Sequence, residues 1–134
     1  MPKVFRSIVY PAIFKASLLL EYGMLRIDRL GNDFIVTPYK VKRLNATLSK
    51  SLVKQLKQLM DQQGIVITLD LTEIDYIDSA GFTALLSLGK AARNANCTFQ
   101  LYNVSPDLQK LLNLLKLGRV FRMVETRPEE VTSG

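Results

Sequence analysis

The sequence predicts an α/β domain, a small mixed β-sheet with helices packed mainly on one face, in the order β-β-α-β-α-β-α-β. Three observations carry this. Strand-like and helical patterns alternate from Met24 onward. The turn-forming run Leu30-Gly-Asn-Asp33 separates the first two strand-like segments. Val66 to Leu71 is near-continuously apolar until Asp70, as expected of a strand buried on both faces of a mixed or parallel sheet. At 134 residues the chain reads as one domain, long enough for a real core.

The elements follow in order. Met24 to Arg29 alternates apolar and polar residues, which suits a half-buried strand. Phe34 to Tyr39 reads as a second strand, and Pro38 places its late part at an edge or a strand end. Thr47 to Met60 is helical: Leu48, Leu52, Val53, Leu56, Leu59 and Met60 recur at helix spacing, and Asn45 or Thr47 is placed to cap it. Gly64 ends the connection to the strand at Val66. Gly81 to Asn94 is a second helix, with Phe82, Leu85, Leu86, Gly89 and Ala92 on one face. Thr98 to Tyr102 is a further strand. Ser105-Pro106-Asp107 starts a third helix, with Ser as N-cap, Pro at the first helical position and Asp in the positive first turn. Leu108, Leu111, Leu112 and Leu115 are its expected buried stripe, and Gly118 its expected stop. Phe121 to Thr126 adds a last strand.

These elements bound a domain at 24–126, with an N-terminal extension at 1–23 and a disordered tail at 127–134. An apolar run from Ile8 to Leu20 is broken by Pro11 and Lys15. It is too short and too broken to span a membrane, and no small-residue cleavage site makes it a secretory signal. A weak amphipathic helix over Ala12–Tyr22 is its structured alternative, with surface attachment as the functional version. No strand pairing is evident in it, so residues 1–22 are expected to be dispensable for the fold. Met24 is an alternative start.

Composition excludes several functions. Histidine and tryptophan are absent, which removes the commonest general base and metal ligand. The single cysteine, Cys97, can form neither an internal disulfide nor a Cys-rich zinc site. It reads as a buried thiol in a cytoplasmic protein. The net charge is +6 and the pI about 9.6, but the charge is dispersed. Lys50, Lys54 and Lys57 share one helix face, read as a solvated face. No aromatic interleaving marks a nucleic-acid platform, and no direct nucleic-acid partner is expected. There is no Gly-rich phosphate loop, dinucleotide fingerprint or metal-ligand cluster. Asp70, Glu73, Asp75 and Asp78 are read as a solvated loop plus a turn-stabilising Asx side chain rather than a magnesium site or an acid–base pair. The chain is expected not to be an enzyme and to hold no cofactor or metal.

The chemistry concentrates at Asp78-Ser79-Ala80-Gly81, where an apolar strand and a short loop give way to a helix. A serine at such a junction sits where backbone N–H groups lack partners and tolerate an anion. A phosphate there changes the charge of the presented surface. Gly81 permits a backbone conformation or a close approach that a side chain would block.

Ile67-Thr-Leu-Asp-Leu71, then Ile77-Asp-Ser-Ala-Gly81, a helix, a strand and a Leu-rich helix ending near Gly118 resemble a STAS domain. More narrowly, the pattern is similar to the bacterial anti-sigma factor antagonists. Arg43-Leu-Asn-Ala-Thr47 resembles that family's other landmark, a Leu-Asp-(Ala/Ser)-x-(Thr/Ser) stretch before the first helix. The likeness covers about Met24 to Thr126.

The resemblance implies partner switching. Unphosphorylated antagonist binds an anti-sigma factor that is also a serine kinase; the phosphorylated form releases it, and a metal-dependent serine phosphatase restores the cycle. Ser79 is then the phosphoacceptor. Asn45, Thr47, Asp75, Asp78, Ser79, Ala80 and Gly81 form the partner-binding surface. ATP and magnesium belong to the kinase. Three departures stand out: Asn45 replaces the landmark Asp, Ala80 replaces a second hydroxyl, and the chain is basic. The alternative is a non-catalytic STAS interaction subunit of a membrane-associated assembly such as a lipid-transport complex. The basic charge and the apolar N-terminal run favour it; the Asp78-Ser79 pair favours the switch over peripheral membrane association.

Overall fold

The computed structural model describes residues 17–22, 24–117 and 120–125. In chain order the elements are β1 (Ser17–Tyr22), β2 (Leu25–Leu30), β3 (Asp33–Pro38), β4 (Arg43–Leu44), α1 (Ala46–Leu59), β5 (Val66–Asp70), β6 (Tyr76–Ile77), α2 (Ser79–Asn94), β7 (Thr98–Tyr102), α3 (Pro106–Leu114) and β8 (Arg122–Val124). Six strands form one mixed sheet in the order β1-β2-β3-β5-β7-β8. The first three are antiparallel neighbours, and β3, β5, β7 and β8 run parallel. β4 and β6 pair separately, in parallel.

Register explains the core. Ile27, Val36, Leu69 and Leu101 are successive partners across the sheet, and Phe34, Ile67 and Phe99 form a second row on the same face. With Leu48, Leu52 and Leu56 of α1, Leu85 and Leu88 of α2, and Leu108 and Leu112 of α3, they make a single apolar cluster. The three helices therefore cover one face, as expected. The alternate row, Ile35–Thr68–Gln100, is also buried. Gln100 Nε2 donates to Thr68 Oγ1 at 2.8 Å, which satisfies two polar groups in that row. Burial of both faces accounts for the near-continuous apolar reading of β5.

Local choices match the elements. Asn45 Oδ1 accepts from Leu48 N at 3.0 Å and caps α1. Ser105 Oγ accepts from Leu108 N at 3.2 Å and caps α3, with Pro106 at its first position. The β2–β3 turn uses Gly31 at φ +64°, a conformation that glycine adopts without strain. Lys50, Lys54 and Lys57 are all exposed.

Four expectations change. Ser17–Tyr22 is a strand paired antiparallel with β2, not the second half of an amphipathic helix; ladder bonds to Leu25–Leu30 outweigh the weak helical periodicity. Residues 1–16 and the tail 127–134 lie outside the described residues. The two-residue strands β4 and β6 were not foreseen. The last strand is Arg122–Val124, shorter at its start than the expected Phe121–Thr126; Thr126 lies outside the described residues. On α3 the buried stripe is narrower: Leu108 and Leu112 are buried, whereas Leu111 and Leu115 are 38% and 50% exposed. The helix ends before Leu115, and Lys116 takes φ +60°; Gly118 lies outside the described residues.

Two outcomes follow for stability. Leu112 has no solvent exposure, so Leu112→Ala is expected to cost about 2–5 kcal/mol in urea unfolding. A loss below about half a kcal/mol would mean that the cavity is not formed. A chain starting at Met24 lacks β1 and bares the outer edge of β2. It is expected to unfold at a lower urea midpoint than the full chain, and an unchanged midpoint would make β1 dispensable.

Candidate functional site

The site is built where β4 and β6 end. Arg43 pairs with Tyr76 and Leu44 with Ile77. Asp75 and Tyr76 donate their N–H groups to Lys42 O at 2.8 and 3.2 Å, and Asp78 N donates to Leu44 O at 3.3 Å. The residues that follow this pairing are the two N-caps, Asn45 and Asp78. Both helices therefore start from one edge, and α1 and α2 pack on each other beyond it.

Gly81 makes this possible. A Cβ on residue 81 would lie 2.6 Å from Leu44 O and 2.6 Å from Ile77 Cγ2. No side chain fits without moving the backbone of β4. The close approach foreseen for Gly81 is thus identified: the first turn of α2 rests on the end of β4.

Asp78, not Ser79, is the cap of α2. Its Oδ1 accepts from Gly81 N at 2.9 Å, and its carbonyl accepts from Phe82 N at 3.0 Å. The helix begins at Ser79, two residues earlier than the apolar periodicity placed it. Ser79 is exposed, and Thr83 Oγ1 donates to its carbonyl oxygen at 2.9 Å. Its own hydroxyl has no structural duty among the described residues. Ala80 is half-buried and Gly81 buried, so Ser79 is the outward-facing member of the turn.

The other expected residues divide. Asn45, the N-cap of α1, and Thr47, in its first turn, are exposed on the edge shared with Ser79. Asp75 is exposed just before β6. The acidic group does not converge. Asp70 is buried, and its Oδ1 accepts from both Thr72 N and Thr72 Oγ1, an Asx turn that ends β5. Among the described residues no three Asp, Glu, His or Cys residues are grouped to hold a metal. Cys97 is half-buried, and its thiol donates to Gln62 O at 3.1 Å.

Arg43 and Tyr76 were overlooked by sequence reasoning. The Arg43 guanidinium lies 5.8 Å from the centre of the Tyr76 ring, and Tyr76 is 57% exposed. Tyrosine and arginine of this kind are common anchors in interfaces. The only local signal was an arginine or tyrosine before an apolar residue and an N-cap, in Arg43-Leu44-Asn45 and Tyr76-Ile77-Asp78.

The STAS domain profile matches residues 31–130. This chain belongs to the STAS domain family. It is 24% identical over 86 residues to the anti-sigma-B factor antagonist of Listeria monocytogenes, covering 64% of this chain and 75% of that protein. The anti-sigma-factor antagonist (STAS) domain protein from Planctomyces limnophilus has a similar structure, with a TM-score of 0.67 and 17% identity, covering 81% and 96% of the two chains. The Bacillus cell fate determinant SpoIIAA in its phosphorylated form gives a TM-score of 0.59 at 17% identity, covering 88% of this chain and 97% of that one. At these identities the structural likeness is one of fold. No helix among the described residues of this STAS protein is long and apolar enough to cross a membrane.

The site's own stability is testable. Gly81→Ala is expected to destabilise the domain by about 1–3 kcal/mol through the clash with Leu44 O. Asp78→Ala is expected to cost about 0.5–2 kcal/mol through loss of the cap. Both are read from urea midpoints; a neutral Gly81→Ala would show that α2 does not rest on β4.

Proposed function

We propose that this STAS protein is an anti-sigma factor antagonist controlled by phosphorylation of Ser79. In this reading the unphosphorylated form binds an anti-sigma factor with serine kinase activity, and the phosphorylated form releases it. A serine phosphatase resets the chain. The protein is a non-catalytic substrate and binding partner, and ATP and magnesium belong to the kinase.

The observation that carries the reading is the separation of roles at the turn. Asp78 does the capping, so the Ser79 hydroxyl is exposed and can be modified without loss of the cap. The helix N-terminus favours negative charge and keeps the domain folded after modification. Phosphate adds about 1.5–2 negative charges beside Asp78 and close in sequence to Asp75. At a desolvated contact, like-charge repulsion of a few kcal/mol is enough to reverse binding. The names of the similar proteins support the same direction, and one of them is a phosphorylated form.

The test uses the anti-sigma serine kinase purified from the same organism, with ATP and magnesium. Ser79→Ala is expected to stay folded within about 0.5 kcal/mol, because the cap is elsewhere. It should take up no phosphate and remain in the binding form. Ser79→Asp should bind the kinase more weakly than the parent chain, though a carboxylate carries less charge and fewer acceptor oxygens than a phosphate. Phosphate on another residue with Ser79 unmodified would overturn the site. Equal affinity of modified and unmodified chains would overturn the mechanism.

A further inference from the structure

A groove of about 650 Å³ lies between the segment Leu71–Ile77, which leads into β6, and the start of α3. Ile74, Ile77 and Leu108 contribute its apolar wall. Tyr76 and Leu111 also line it and are 57% and 38% exposed. Leu114 and Leu115, 78% and 50% exposed, stand three and four residues beyond Leu111 and so share its side of the helix. Asp107, four residues before Leu111, starts the same stripe, which runs about 12 Å along the helix axis. Core packing does not account for these side chains, since Leu108 and Leu112 supply the buried contacts of α3. Exposed leucines on one side of a helix, next to an apolar groove, mark an interaction surface.

The walls are held in place before any partner arrives. Asn103 Nδ2 donates to Thr72 Oγ1 at 2.9 Å and ties the two bounding loops together. Thr72 is in turn held by Asp70. A prearranged surface loses less freedom on binding. Charge identifies the occupant. The chain carries +6, yet the ionisable side chains of the groove, tyrosine aside, are the carboxylates of Asp75 and Asp107, with no lysine or arginine among its lining residues. Neither carboxylate has a side-chain partner among the described residues.

We infer that this groove, together with the exposed α3 leucines beyond it, docks an amphipathic helix of a partner protein, its apolar stripe on Tyr76 and Leu111 in the groove and on Leu114 and Leu115 past its end, and its lysines or arginines against Asp75 and Asp107. Helix-in-groove recognition uses this combination of apolar anchors and flanking charge. Tyr76 belongs both to the groove and to the β4–β6 edge, so the groove continues the surface that presents Ser79. The inference rests on partner switching only in taking the docked helix to belong to the same partner.

The probe is a stapled amphipathic helix of leucine and arginine, titrated into the full chain and followed by backbone amide shifts. Saturable shifts confined to Thr72–Ile77 and Ser105–Leu115 are expected. Replacing the peptide arginines with glutamate should weaken binding at least about tenfold, as should the double variant Asp75→Asn, Asp107→Asn. Leu111→Glu should abolish binding, with Leu111→Ala as the milder check, and the amide spectrum of each variant reports whether it is folded. Added salt should weaken the complex. The titration uses the unmodified full chain with no kinase or ATP present, so a failed phosphoswitch and a failed groove are told apart. Shifts elsewhere, equal affinity for the acidic peptide, or variants that bind unchanged would overturn the inference. So would self-association by light scattering, or flotation with phosphatidylglycerol vesicles, if either is lost in Leu111→Glu.

Discussion

The structure depends on a contact that tolerates no side chain, the first turn of α2 against the backbone of β4. With hydrogen alone at residue 81, Leu44 O and Ile77 Cγ2 can come within 2.6 Å of where a Cβ would be. That approach lets two-residue strands pair, although such strands are too short to hold by themselves. The pairing then sets where α1 and α2 begin. Lifting α2 by the thickness of a methyl group would disturb the Asp78–Leu44 hydrogen bond and separate the two capped ends. The presentation of Ser79 is a consequence of this packing, since serine at a helix start has no intrinsic reason to face a partner.

The second consequence is a division of labour among neighbours. Asp78 satisfies the orphan amide of Gly81, which leaves Ser79 exposed and its hydroxyl without a structural duty among the described residues. A modification can then change surface charge without removing a cap. Asn45 performs the equivalent capping on α1 without charge, so this edge carries less acid than the family pattern would give it. Acid appears instead at Asp75 and Asp107, on the groove beyond Tyr76. A basic chain with an acidic groove is selective about which surface it offers to which partner.

Much of the fold was legible locally. The repeat of Leu48, Leu52, Leu56 and Leu59 reported α1, and Ser105-Pro106-Asp107 reported the start of α3, because caps and helix periodicity act over only a few residues. The apolar run of β5 announced burial on both faces. β1 was not legible, since its place is decided by ladder bonds to β2 and its own residues carry a weak helical signal. On α3 the four leucines Leu108, Leu111, Leu112 and Leu115 look alike in sequence. The placement of the helix against the core buries only Leu108 and Leu112.

The sequence by itself determined the class of fold, the order of its central elements, and the turn Asp78-Ser79-Ala80-Gly81 as the chemically distinct position. These follow from periodicity, capping and the special freedom of glycine, all short-range effects. Only tertiary structure decided that Asp78 rather than Ser79 caps the helix, that Asn45 stands on the same edge, and that Tyr76 and Leu111 are left uncovered beside two carboxylates. Each of those depends on which segments meet across the β4–β6 pairing and the α3 contact. Exposure is a property of that meeting, and residues of the same type carry no mark of it.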